Sequence, residues 1–76
     1  MIFTQHDEFD MNILLNGEPK SLPAGTTVAR LIEMLQLGEK RLALELNEEI
    51  VPRSLYAECA IRANDRVEIL HAVGGG

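Results

Sequence analysis

The regular part of the chain begins with the two-residue alternation of a β-hairpin. Met11, Ile13 and Leu15 fall on one side of an extended chain, which is the period of a half-buried strand. Asn16-Gly17 follows, and both residues tolerate the positive φ angles of a tight turn. A second short strand is therefore predicted around residues 20–22.

A helical period comes next, between two glycines. Apolar side chains recur at i, i+3, i+4 and i+7, the spacing of one face of an α-helix; they are Val28, Leu31, Ile32 and Leu35. Thr26 or Thr27 can cap the start, because a hydroxyl oxygen accepts from unpaired first-turn N–H groups. Gly38 is positioned to end the helix in the left-handed conformation.

Alternation returns after the helix. Leu42, Leu44 and Leu46 fall on one side of a predicted strand, Asn47-Glu48 forms a turn, and Ile50-Val51 leads back. Pro52 ends this return, because proline cannot donate to a strand ladder.

In the last third of the chain, the pattern predicts a helical turn, a short strand and a tight turn before a final strand. A single helical turn is expected within residues 53–59 and a brief edge strand over 60–62. Asn64-Asp65 makes a turn into a last strand over 66–73, with Val67 and Ile69 pointing inward.

These elements together predict an α+β fold. Their order is strand, strand, helix, strand, short turn, strand, which gives a mixed sheet of four to five strands with one main helix on one face. The other face of the sheet is then available to a partner. The domain is expected to span residues 11–72, between an N-terminal extension at 1–10 and a glycine tail at 73–76.

Composition narrows the function classes. The net charge is −5, from 12 acidic and 7 basic residues, a balance that disfavours nucleic-acid binding. The single cysteine, Cys59, cannot form an internal disulfide and fits a reducing compartment. We find no apolar run of membrane-spanning length and no signal peptide, so the expected location is the cytoplasm.

Catalytic and metal-binding constellations are not evident. His6, Cys59 and His71 are widely spaced, with no neighbour at ligand spacing. Cys59 lacks a nearby histidine or a CxxC partner, so a small buried thiol is expected. No catalytic residue, metal or bound cofactor is predicted.

The C-terminus is the strongest functional candidate. Gly74, Gly75 and Gly76 end the chain, and residues without side chains can pass through a narrow channel. Residues 73–76 could extend about 13 Å and deliver the terminal carboxylate into a partner's active site. A frayed end without a task is the alternative. Leu70, outward by alternation, is either ordinary apolar surface or part of a docking patch.

The stretch from Met11 to Gly76 resembles the ThiS family of small sulfur carriers in thiamin biosynthesis. The resemblance rests on MNILLNG, AGTTVARLIEML, LALELNEEIVPR and NDRVEILHAVGGG. It implies a ubiquitin-like β-grasp fold. The first ten residues, MIFTQHDEFD, depart from the family pattern.

The resemblance also implies a chemistry for Gly76. A ThiF-type adenylyltransferase would use ATP to adenylate its carboxylate, and a cysteine desulfurase or related donor would supply sulfur for a thiocarboxylate. Thiazole synthase would accept the sulfur. Val73, Gly74 and Gly75 would thread the partner's active site, and Leu70 would contribute to docking. The protein would be a cosubstrate and not an enzyme.

Two alternatives share these features. The small subunit of molybdopterin synthase carries the same fold, tail and thiocarboxylate but delivers sulfur to a pterin precursor. A ubiquitin-like modifier would use the same glycine end to form isopeptide bonds with lysines of target proteins.

Overall fold

The protein forms a five-stranded sheet with one main helix. The computed structural model describes residues 10–38 and 41–71. Its elements, in chain order, are β1 (Asp10–Leu15), β2 (Glu18–Pro23), α1 (Val28–Met34), β3 (Leu42–Leu46), β4 (Glu49–Ile50), a 3₁₀ turn (Arg53–Leu55) and β5 (Arg66–His71). The α+β prediction is confirmed, with five strands.

The sheet order is β2-β1-β5-β3-β4. The central strand, β5, runs parallel to β1, and the other neighbours run antiparallel. The last strand of the chain is therefore inserted between earlier ones. β1 pairs with its start, at Arg66 and Val67, and β3 pairs with it from Val67 to His71.

Two tight turns form where asparagine predicted them. Asn16 and Gly17 have φ angles of 51° and 85°, and Asn47 and Glu48 have φ angles of 54° and 73°. Two consecutive left-handed residues give the backbone twist that matches a two-residue β-hairpin. These turns set the register of both hairpins.

Of the two candidate caps, Thr27 is the one that caps α1. Its Oγ1 accepts a hydrogen bond of 3.1 Å from the amide of Arg30. Thr26 is buried instead, and its hydroxyl donates to the carbonyl of Pro23. The alternative left open by the sequence is thereby resolved.

The predicted role of Gly38 at the helix end is wrong. The helix stops at Met34, and Gln36 takes the left-handed conformation with φ of 61°. The amides of Gln36 and Leu37 donate to the carbonyls of Glu33 and Ile32, both at 3.0 Å, which is the bond pattern of a Schellman motif. Leu37 packs against the core, and its burial outweighs the preference for glycine at the left-handed position.

The core lies between α1 and the inner face of the sheet. The helix face predicted from the period is buried or half-buried, as are the inward residues of β1, β3 and β5. The buried apolar residues of the described core are Met11, Ile13, Leu22, Val28, Leu31, Ile32, Leu44, Ile61, Val67 and Ile69. Aliphatic side chains thus supply the burial that stabilises this small domain.

The predicted edge strand over 60–62 is reduced to a single bridge between Thr27 and Ala60. The amide of Ile61 donates to the carbonyl of Thr26, and the amide of Val28 donates to the carbonyl of Cys59. Pairing stops there because α1 begins directly after Thr27. The segment therefore clamps the helix start instead of extending the sheet.

Candidate functional site

The tail candidate follows directly on β5. Backbone pairing of β5 with β3 continues to the last described position, where His71 lies opposite Leu42. Val73, Gly74, Gly75 and Gly76 lie outside the described residues. The five residues after His71 could reach at most about 17 Å from the sheet. The sheet therefore provides a fixed base from which a short terminal segment can extend.

Leu70 lies on the open face of the sheet, near this base. Its side chain is 65% exposed, whereas the preceding Ile69 is buried among the core residues. Its cross-strand neighbour is Ala43 on β3, and the two make a small apolar surface. The predicted outward direction of Leu70 is confirmed, and its role in docking stays a prediction.

The next row across the same face is acidic. Glu45 lies opposite Glu68 in the β3–β5 register and opposite Ile50 in the β3–β4 register. Ile50 is 69% exposed. Alternation along the sequence places Glu45 and Glu68 on the outward side of their strands, but their pairing depends on the strand register, which local pattern does not specify.

Arg66, a basic residue of this face, forms an ion pair at the end of the face that lies away from the tail. The guanidinium of Arg66 lies 3.6 Å from the carboxylate of Glu48, and both side chains are more than half exposed. Exposed pairs of this kind contribute little to stability. In this arrangement the Arg66 guanidinium lies beside the β3–β4 turn.

Polar side chains fix the start of β5. Oδ1 of Asn47 accepts from the amide of Arg66 at 2.9 Å, and its Nδ2 donates to the carboxylate of Asp65 at 3.1 Å. The other oxygen of Asp65 accepts from the amide of Arg62 at 2.8 Å. The predicted turn at Asn47-Glu48 thus also positions the strand that leads to the tail.

A groove of about 170 Å³ opens on the helix side of the sheet. Ile32, Leu37 and Leu42 form its apolar part, and Arg53 and Tyr56 lie at its polar side. Leu42 is also the neighbour of the last described residue of β5. The groove has room for one side chain, and the sequence pattern gave no signal for it.

Within residues 10–38 and 41–71, no three His, Cys, Asp or Glu side chains are placed to hold a metal ion. Cys59 is half-buried and packs against the core, so it is more exposed than the buried thiol that was expected. None of the helices in this part of the chain has the length and apolar character needed to span a membrane.

Comparison with known proteins decides the family. The sequence profile of the ThiS family matches residues 13–76, which include the glycine end. The chain belongs to the ThiS family. The resemblance inferred from the sequence motifs is confirmed.

Individual relatives are similar to this chain over most of its length. Sulfur carrier protein ThiS of Escherichia coli is 33% identical over 66 residues, which are 87% of this chain and 100% of that protein. A Paramagnetospirillum magneticum protein named thiazole synthase is 39% identical over 66 residues. This chain spans only 20% of the length of that longer relative.

A solved structure supports the fold. The crystal structure of the thiamine biosynthesis protein ThiS from Geobacter metallireducens matches with a TM-score of 0.75 and 29% identity. The match covers 87% of this chain and 100% of that one. The five-stranded mixed sheet with one helix is the ubiquitin-like β-grasp fold that the resemblance implied.

Proposed function

We propose that this protein is a sulfur carrier of thiamin biosynthesis and that the carboxylate of Gly76 carries the sulfur. The observation that carries the proposal is the match to the full length of the Escherichia coli sulfur carrier protein ThiS. The family profile also extends through the three terminal glycines. The protein acts as a cosubstrate in the cytoplasm, and its partners perform the catalysis.

The chemistry starts with activation of a poor acyl donor. A carboxylate oxygen of Gly76 attacks the α-phosphorus of ATP on a ThiF-type adenylyltransferase, and pyrophosphate leaves. The persulfide of a cysteine desulfurase or related donor then attacks the acyl carbon, and AMP leaves with the former carboxylate oxygen. A thiol reductant cleaves the S–S bond of the resulting acyl disulfide, so that the chain ends in a thiocarboxylate and the donor sulfur leaves in a new disulfide with the reductant.

Features of the described residues support this role. β5 pairs with β3 as far as His71, and the Asn16 side chain accepts from the amide of Ile69 on the other side, so the base of the tail is held by the sheet. Val73, Gly74 and Gly75 can then enter a narrow active site without side-chain obstruction beyond the valine. The exposed Leu70 provides apolar docking area close to the point of entry.

Thiazole synthase is the proposed sulfur acceptor. The support is the Paramagnetospirillum magneticum relative, in which a segment similar to this chain belongs to a longer protein named thiazole synthase. Joining two partners in one polypeptide raises their effective concentration for each other. The same recognition between separate chains would let this carrier deliver sulfur to the thiazole ring.

Intact mass spectrometry tests the proposal. The carrier is incubated with ATP, the adenylyltransferase and a sulfur donor, and the expected product has one C-terminal oxygen replaced by sulfur. Deletion of Gly76 should prevent the conversion, whereas Gly38→Ala, a glycine change outside the tail, should leave it unchanged. The adenylyltransferase is first shown to be active by its release of pyrophosphate with a known carrier. If the mass of the wild-type protein then stays unaltered, the proposal is refuted.

The recipient is tested separately. The thiocarboxylate form should co-purify with thiazole synthase and lose its sulfur during thiazole formation. Capture instead by the large subunit of molybdopterin synthase would redirect the sulfur to a pterin. Higher-mass conjugates on a denaturing gel would indicate a protein modifier.

A further inference from the structure

Two carboxylates of like charge lie directly opposite each other on the open sheet face. Glu45 on β3 and Glu68 on β5 are register partners. Like charges in this position reduce the stability of a sheet. The sequence therefore keeps an unfavourable pair at a site where most polar or apolar pairs would be better for folding.

The backbone hydrogen bonds on either side define the spacing of this pair. The amide of Asn47 donates to the carbonyl of Arg66 at 2.7 Å, and the amide of Val51 donates to the carbonyl of Leu44 at 2.9 Å. Because backbone groups alternate in direction along β3, Glu45 and Glu68 form a hydrogen-bonded pair. Their α-carbons are then about 5.5 Å apart, and both side chains leave the same face.

Within the described part of the chain, neither Glu45 nor Glu68 forms an ion pair. The ion pairs formed there join Arg30 to Glu33 and Arg66 to Glu48. Arg66 is on the same face as Glu68, two residues earlier in β5, but its guanidinium points toward the β3–β4 turn. A cation from another molecule can therefore enter between Glu45 and Glu68.

Apolar surface borders the acidic pair on two sides. Ile50 flanks Glu45 across β4, and the Ala43–Leu70 pair lies on the side from which the tail leaves the sheet. Exposed apolar side chains next to unpaired charges are typical of a protein docking surface with a complementary partner. A complementary partner surface would present a basic side chain surrounded by apolar ones.

We infer that this acidic face, formed by Glu45, Glu68, Ile50 and Leu70, docks the adenylating enzyme through an Arg or Lys of that enzyme placed between the two carboxylates. The inference rests on the proposed function. An enzyme that binds ATP and a terminal carboxylate surrounds its active site with positive charge. An acidic face beside the tail is steered toward that site, and a planar guanidinium can bond both carboxylates at once.

The test measures affinity and folding stability on the same variants. Glu45→Gln and Glu68→Gln keep the side-chain volume and remove one charge each. Glu49→Gln is the matched control, because Glu49 is an exposed residue of β4 that alternates to the other face from Ile50. Dissociation constants are measured against the ThiF-type adenylyltransferase from the same genome, at several salt concentrations, together with urea midpoints.

Opposite signs are expected for the two measurements. Each of Glu45→Gln and Glu68→Gln should weaken binding about tenfold and reduce its salt dependence, while raising the urea midpoint because the repulsion is removed. Glu49→Gln should change neither quantity. A residue with only a structural role would not separate affinity from stability in this way.

Three results would overturn the inference. Equal affinities for wild type and both variants would show that the enzyme does not contact the two carboxylates. The proposed sulfur-carrier function would not be affected by that result. Weakened binding to thiazole synthase alone would assign the face to the other partner. A wild-type carrier that neither binds the adenylating enzyme nor receives AMP would remove the proposed function and this inference with it.

Discussion

The backbone amide of Ile69 donates a hydrogen bond of 2.8 Å to the side-chain Oδ1 of Asn16, a residue 53 positions earlier in the chain. Just before this point β1 and β5 pair as parallel strands, with the amide of Asn16 donating to the carbonyl of Val67. At Asn16 the chain turns away into the hairpin. The Asn16 side chain then takes the place of a backbone carbonyl and extends the ladder toward the tail.

Replacement of Asn16 separates its two roles. Asn16→Gly retains the positive φ but loses the acceptor, so the amide of Ile69 is left unpaired at a cost of about 1–2 kcal/mol. Asn16→Asp keeps an acceptor oxygen and should lose less. Urea unfolding and the hydrogen-exchange rate of the Ile69 amide check this; equal exchange rates in the Gly and Asp variants would contradict it.

The helix start offers a second prediction. Thr27→Ala removes the Oγ1 that accepts from Arg30 and should lower the free energy of unfolding by about 1 kcal/mol. Thr27→Ser retains the hydroxyl and should recover most of the loss. Thermal and urea unfolding of both variants measure the difference, and identical midpoints for Ala and Ser would show that the cap bond contributes nothing.

The helix end gives two predictions about glycine: introducing one at position 36 should stabilise the protein, and removing the one at position 38 should not destabilise it. Gln36→Gly should raise stability by about 0.5–1 kcal/mol, because a left-handed φ of 61° is strained for glutamine. Gly38→Ala should be neutral or slightly stabilising, since φ is not left-handed there and a Cβ would meet nothing within 4 Å. A large decrease in the free energy of unfolding of Gly38→Ala would mean that Gly38, and not Gln36, needs the conformational freedom of glycine.

Substitution of Leu70 tests docking with little effect on folding. Leu70→Ala should weaken binding to the adenylating enzyme about tenfold, as expected for a partly exposed apolar contact near an interface centre. The free energy of unfolding should fall by less than about 1 kcal/mol, because the side chain is 65% exposed. Met34→Ala, a 41% exposed residue on the helix, is the control and should leave binding unchanged.

Much of the fold follows from local patterns. The period of α1 predicts its buried face, and alternation predicts the inward residues of β1, β3 and β5, because side-chain direction is fixed by backbone geometry within each element. Asn16-Gly17 and Asn47-Glu48 predict turns because few residues tolerate consecutive left-handed conformations. These relationships need no contact beyond a few neighbouring residues.

The helix end shows where local patterns stop. Glycine at position 38 is the better left-handed residue in isolation, yet the Schellman motif places Gln36 there. The deciding contribution is the packing of Leu37 against a core that the helix does not contain by itself. Conformational preference is worth about 1 kcal/mol, and burial of a leucine outweighs it.

The candidate site divides in the same way. The sequence by itself determined the glycine end, the outward direction of Leu70 and the family motifs, since each is local or linear along the chain. Only the tertiary structure decided that Glu68 faces Glu45, that Ile50 borders them and that Asn16 supports Ile69. Alternation fixes which side of a strand a residue occupies, but strand order and register depend on how the whole sheet buries its apolar face.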